Sequence, residues 1–430
     1  MDTGFATLLL LGTFFVTIFM GFNIAYALGL ASVATALYLG VPLLTVVQII
    51  VSKLGNFTLL AVPFFIIAGE LMGIGGISDR LIRLSKSIVG WMRGGLAQVN
   101  IVASMFFGGI SGSAAADTAS LGAILIPMME KDGYEKEFAT NITMTSSVQG
   151  ILIPPSHNMV IYAVSAGGVS IAKLFMGGIV PGLLLGACLM IYSYYIARKH
   201  NYQKGSPFKI KVVLKELKES VWALGTVLIV VFGVLSGIFT ATESAAIAAL
   251  YAFFVAYFVY KDAPISSFGK VLSNTIKTLS TILILTSCAT AFSFFITYLQ
   301  IPQQLTHVLL AVSHNKYVLL LLINLLLLVL GTFMNMISII LIMTPILLPI
   351  VSTFGMDPVH FGVILILNLG IGLLTPPVGN VLFVGSSVSG IPIERLGKTL
   401  IPQLLVMIVV LLLITFIPAI SMTIPNMLYS

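Results

Sequence analysis

Two proline pairs, Pro154-Pro155 and Pro376-Pro377, each followed closely by an asparagine, Asn158 and Asn380, are the residues of this chain whose type and spacing best suit ligand chemistry. A double proline removes two backbone donors and disfavours helix in the residue before it, so each pair should free carbonyl groups. Inside a membrane such backbone survives only if it is buried in protein or lines a cavity, and matched Gly/Pro breaks in two halves of a chain point to a transporter binding site. Pro154, Pro155, Ser156 and Asn158, with Pro376, Pro377, Gly379 and Asn380, are therefore the expected substrate-binding residues. A second paired feature is Gly109-Ile110-Ser111-Gly112-Ser113 running to Asp117, opposite Gly331 to Ser338. Hydroxyl, amide and freed carbonyl oxygens suit a small hard cation, whereas the lack of clustered His, Cys or carboxylate argues against zinc or iron. Sodium is the expected ion. Its expected ligands are Asn56, Ser111, Gly112, Ser113 and Asp117 in one half, and Thr290, Asn335 and Ser338 in the other. Close helix packing by small residues is the bland alternative for Ser111 and Ser113.

Ionisable groups inside apolar stretches are few: Glu70, Asp117, Glu243 and His157. Burying such a group in lipid costs a few kcal/mol or more, so each is a functional candidate. Thr240-Ala241-Thr242-Glu243 reads as a helix start with Glu243 in the first turn, Asp117 as a residue tuning a cation site, and Glu70 as a partner for a basic residue near the interface. Enzyme readings fare poorly. The chain has no GxxxxGK[ST], and Gly109 to Ser113 is not GxSxG because Ser113 stands at the final glycine position. An intramembrane hydrolase built on His157 is the weakest reading, and no catalytic residue or organic cofactor is expected. Cys188 and Cys288 stand alone in apolar runs and read as small hydrophobes.

The elements that must position these residues follow from composition. Of 430 residues 58% are hydrophobic and only 8% charged, so soluble folds are excluded and the lipid bilayer is the solvent. Apolar runs from Phe5–Met20 to Leu400–Ile417 predict an all-α polytopic membrane protein of about 10–12 transmembrane helices. The net charge of +7 reads as a topology signal rather than nucleic-acid binding. Residues 197–220 carry seven basic residues against two acidic ones, and Arg80, Arg83, Lys86 and Arg93 add a second basic stretch, so both are expected at the cytoplasmic face.

The chain also repeats itself. Gly109/Gly331, Pro127/Pro349, Gly133/Gly355, Gly150/Gly372, Pro154/Pro376, Asn158/Asn380, Ser165/Ser387 and Gly168/Gly390 are each 222 positions apart. Matches at such residue types are not cheap in so apolar a chain, and they predict a first repeat at 1–196, a basic linker at 197–220 and a second repeat at 221–430. Polar tips at Gly55-Asn56-Phe57-Thr58 and Thr286 to Thr290, each before a Phe-Phe-Ile run, predict one re-entrant hairpin per half.

Taken together, the stretches Leu59 to Met72, Gly109 to Asp117, Ile153 to Ser156 and Leu374 to Gly379 resemble the large membrane subunit of tripartite ATP-independent periplasmic (TRAP) transporters, over essentially the whole chain. The resemblance implies a sodium-driven importer of organic anions, chiefly C4-dicarboxylates, sialic acid and other acidic sugars, in a bacterial inner membrane. It also implies two partners, a small four-helix membrane subunit and a periplasmic substrate-binding protein, and an elevator-like motion of hairpins and broken helices against a scaffold. An uncoupled channel or scaffold subunit is the rival reading.

Overall fold

A computed structural model describes residues 3–55, 57–74, 76–205, 207–305, 315–376 and 379–428. Asn56 and Pro377 lie outside the described residues. The described chain is helical throughout, its only strand-like feature being an isolated bridge between Arg93 and Lys204. Eight described segments are long and apolar enough to cross a membrane.

One wall consists of α1 (Thr3–Phe19), α2 (Ile24–Leu39), α3 (Leu43–Leu54), α4 (Ala61–Ile74), α11 (Ile210–Leu235), α12 (Ala241–Phe254) and α13 (Phe268–Tyr298). Within it α1 packs on α2, α2 and α3 on α13, and α4 on α12 and α13. Thr240 and Glu243 start α12 with a reciprocal capping box, the role their spacing predicts. The amphipathic helix α5 (Ile77–Val89) leads from this wall to the rest, burying Leu81 and Leu84 while Arg83 bridges to Glu216 and Glu219 at the start of α11.

Opposite the wall stand two equivalent units. The first is α6 (Gly95–Ser111), α7 (Ala114–Lys131), α8 (Lys136–Gly150) and α9 (His157–Ser165). The second is α14 (Lys316–Phe333), α15 (Met336–Thr353), α16 (Pro358–Gly372) and α17 (Asn380–Ser389). In each, a tight turn joins two helices into a hairpin and a broken helix follows. Gly112 makes the first turn at φ +60°, a conformation that favours glycine, and Ser113 then caps α7. In the second, Met334 is extended and Asn335 caps α15. Hairpin and broken helix cross at paired glycines: a Cβ on Gly108 would lie 2.1 Å from the Gly150 Cα, and one on Gly331 2.9 Å from the Gly372 Cα. Polar bonds reinforce both crossings, Ser104 with Ser146 at 3.0 Å and Asn368 to Asn324 at 2.8 Å. The units also interlock, with α17 against α7 and α8, and α9 against α15 and α16. Two long helices, α10 (Ile171–Lys199) and α18 (Ile393–Phe416), brace them, followed by α19 (Ala419–Leu428).

Two expectations change. The hairpin tips are at Gly112 and Met334-Asn335, and not at Thr286–Thr290; the other expected tip is centred on Asn56, outside the described residues. Residues 286–290 lie inside the unbroken α13, where Thr286 and Thr290 give their hydroxyls to the carbonyls of Ile282 and Thr286 in the preceding turn, so these polar residues need no chain break. The basic stretch 197–220 is not all linker either: α10 extends to Lys199 and α11 starts at Ile210.

Because the glycine crossings leave no room for a side chain, Gly150→Val should lower the thermal stability of the purified protein by about 1–3 kcal/mol, the usual cost of overpacking. Gly12→Ala, with nothing within 4 Å of the added methyl, should leave the melting curve in place.

Candidate functional site

The two hairpin tips meet at one cavity of about 520 Å³ lying between the units and the wall. Ser113, Ala116 and Ser120 of α7, His157 of α9, and Asn335 and Ile337 at the start of α15 line one side; Glu70 and Gly73 of α4 and Thr278 of α13 line the other. A second cavity of about 490 Å³ shares Thr278, Ile282, Asn335 and Ile337 with it and adds Asn23 and Ser338. Three helix N-termini, those of α7, α9 and α15, open on the main cavity. Ser113 accepts from the Ala116 amide at 3.3 Å and Asn335 from the Ile337 amide at 2.9 Å, which fixes two of these ends. Such ends carry partial positive charge and attract anions. On the facing wall Glu70 accepts from the Asn274 amide at 3.2 Å.

The broken helices hold the tips from behind. Asn158 Nδ2 donates to the Gly112 carbonyl at 2.9 Å, and the His157 ring stands where a Cβ on Gly112 would be, at 2.6 Å from Nδ1. In the second unit the Gly379 amide, at φ +45°, donates to the Thr332 carbonyl at 3.1 Å. Behind the first tip the Asp117 carboxylate is buried with the Ser104 hydroxyl as its polar neighbour; Ser156 Oγ and Gln149 Oε1, the latter on a side chain lying against Gly186 of α10, are buried with no hydrogen-bond partner among the described residues. Asp117 is 1% exposed, in the first turn of α7. Buried hard oxygen donors at a chain break fit a small cation.

Among the expected residues, then, Ser113 and Asn335 line the main cavity, Ser338 its neighbour, and Gly112 and Asp117 sit just behind. Thr290 does not join them. It lines a separate small cavity with Ser293 and Leu341, and along α13 it is 12 residues, about 18 Å, from Thr278. Pro154, Pro155, Ser156 and Asn158 are buried supports of the tip rather than cavity lining, Gly379 is likewise buried, and Pro376 and Asn380 are exposed outside the main cavity. Nothing is described for the Ser111 side chain. Glu70, Ser120 and Thr278 line the cavity without having been assigned to the site. For Glu70 the signal was present, a carboxylate inside an apolar run.

Paired hairpins and broken helices around one cavity, in a helical chain of this length, define a membrane transporter. The fold agrees with the crystal structure of the Alcanivorax borkumensis YdaH transporter at a TM-score of 0.60, covering 87% of this chain and 88% of that one at 14% identity. Residues 11–420 match the family described as Tripartite ATP-independent periplasmic transporter, DctM component, and the chain belongs to that family. It is 42% identical over 380 residues to the sialic acid TRAP transporter large permease protein SiaM of Vibrio cholerae, covering 88% of this chain and 89% of that protein. It is 43% identical over 416 residues to the isethionate TRAP transporter permease protein DctMQ of Oleidesulfovibrio alaskensis, covering 96% of this chain but 65% of that longer protein. The chain is thus a transporter permease rather than an enzyme, a multi-pass protein of the bacterial inner membrane, and the family implies a small membrane subunit and a periplasmic binding protein as partners.

Removing the tie behind the first tip should be visible locally. Asn158→Ala leaves the Gly112 carbonyl without its donor, at a cost of about 1–3 kcal/mol. Hydrogen exchange at the amides of residues 112–117 should quicken while exchange in α16 stays as in the unmodified protein.

Proposed function

We propose that this chain is the permease of a sodium-driven importer, accumulating an organic anion of the sialic acid or C4-dicarboxylate type that a periplasmic binding protein delivers, with a small four-helix subunit completing the membrane complex. The observation that carries this reading is the single cavity on which both hairpin tips and three helix N-termini open. Partial positive charge there suits a carboxylate or sulfonate, and the relatives named above are called transporters of sialic acid and of isethionate. Sodium travels as co-substrate. Asp117 offers it buried carboxylate oxygens in the first turn of α7, with Ser113 nearer the cavity. On the second side Asn335 and Ser338 border the cavities, while Thr290 lies too far along α13 to share that site.

The cavity lies on the seam between the two interlocked units and the wall. An elevator-like movement of the units along α4 and α13 would carry it from one membrane face to the other, and this arrangement supports such a cycle over a fixed pore. The rival, an uncoupled channel, predicts no accumulation.

In proteoliposomes holding the large and small subunits, with the cognate binding protein outside, uptake should exceed equilibrium only under an inward sodium gradient. Accumulation that persists undiminished after the gradient is collapsed would refute the coupling. Ser113→Ala and Asp117→Asn should each raise the sodium concentration for half-maximal uptake by about 10-fold, equivalent to about 1.4 kcal/mol of lost ion binding. Asn335→Ala should do so as well, whereas Thr290→Ala should leave the sodium dependence unchanged.

A further inference from the structure

Far from the transport cavity, at the basic end of the molecule, a smaller cavity of about 240 Å³ is lined by Lys86 of α5, Asp132 after α7, Lys204 in the connection from α10 to α11, and the backbone at Gly90, Gly95 and Gly205. It shares no lining residue with the transport cavity. Lys86 and Lys204 are both exposed and form no ion pair among the described residues, whereas nearby Lys136 is paired to Glu130. The frame is built rather than loose. Arg93 donates to the Tyr202 carbonyl at 3.3 Å and to Asn201 Oδ1 at 3.1 Å, the Gly94 amide donates to the Gln203 carbonyl at 3.2 Å, and the Tyr202 ring rests on Tyr134 at 4.2 Å between centroids. Burial pushes the Tyr134 phenol up to about 12, so it stays neutral and Asp132 is the one acidic group in the lining.

The surroundings place this cavity at the depth of lipid headgroups. Both tryptophans of the chain lie at this end and are exposed, Trp91 in the turn after α5 and Trp222 three turns into α11, and Tyr195 is exposed one turn before Arg198 and Lys199. The Trp91 indole nitrogen is already bonded to the Ile88 carbonyl, which leaves its ring face for the membrane interface. Exposed Trp and Tyr beside Lys and Arg mark that interface on the basic side.

From these features we infer that the cavity is a binding site for the headgroup of an anionic phospholipid, of the phosphatidylglycerol kind. Lys86 and Lys204 pair with the phosphodiester, and Asp132 accepts a hydrogen bond from a headgroup hydroxyl, while the glycines serve the packing of the frame: a Cβ on Gly95 or Gly205 would meet the Gly90 carbonyl at 2.2 or 1.8 Å. With two lysines against one carboxylate the lining carries a net positive charge, which favours an anionic headgroup over a zwitterionic one. The site is independent of the transport reading and is tested without transport.

The measurement is thermal unfolding of the full-length protein in uncharged detergent, with phosphatidylglycerol, phosphatidylethanolamine or inorganic phosphate added. Phosphatidylglycerol should raise the midpoint by about 2–4 °C and phosphatidylethanolamine should not. The double variant Lys86→Gln/Lys204→Gln should lose that shift, and Lys86→Arg/Lys204→Arg should keep it. An unchanged shift in the glutamine variant overturns the site. Equal stabilisation by inorganic phosphate overturns the lipid assignment, because the phosphate alone would then be the ligand.

Discussion

Every backbone N–H and C=O at membrane depth must find a partner inside the protein, because lipid offers none. An unbroken helix meets that demand by itself. Among the described residues the two paired units are interrupted at the hairpin tips and at the breaks after α8 and α16, and the fold is arranged so that tip and break cover each other. The tip at Gly112 gives its carbonyl to Asn158, just beyond the first break, and the Thr332 carbonyl, two residues before Met334, is taken by the Gly379 amide just beyond the second. Glycine at 108, 150, 331 and 372 permits the close approach that makes these bonds reachable. The cavity is a consequence of the same economy, since helix ends that cannot be paired in lipid are turned toward a space that water, ion or substrate can fill.

Much of this was legible in the residues. The 222-residue spacing recurs in the helices themselves, with α7 and α15 starting at 114 and 336, and α8 and α16 ending at 150 and 372. α16 is mostly apolar, whereas α8, its equivalent, is rich in Thr, Ser, Asn and Gln although buried from Phe138 to Gly150, so hydropathy does not mark it. A helix enclosed by other helices can be polar if its side chains are bonded, as Asn100 to Thr143 and Thr118 to Ser147 show. The hairpin misplaced to 286–290 is the converse error. Polar residues in an apolar run looked like a tip, yet a threonine that bonds its own preceding turn lies in a helix without strain. The true tips carry glycine or an extended residue followed by a capping side chain, and that signature was present at Gly112-Ser113 and Met334-Asn335.

Composition was a better guide to the kind of site than to its members. Small and polar residues at breaks correctly marked the region, but the residues that line the cavity are those after a break, at the first turns of α7, α9 and α15, and those of the facing wall. Pro154 and Pro155 shape the chain and then withdraw into support. Glu70 shows why the wall is hard to read: it reaches the cavity from α4, whose path across the tips no local pattern specifies.

The repeats are equivalent in backbone and unequal in chemistry. Behind the first tip stands the buried carboxylate of Asp117, and the tie is a side chain, Asn158. Behind the second the tie is backbone to backbone, and position 339, which matches Asp117 in the repeat, is isoleucine. A tie made by a side chain can be loosened by whatever competes for its amide or its carbonyl, whereas a backbone tie holds as long as the turn does. The two halves of one duplicated design therefore differ in how the tip is held, by a side chain in the first and by backbone in the second.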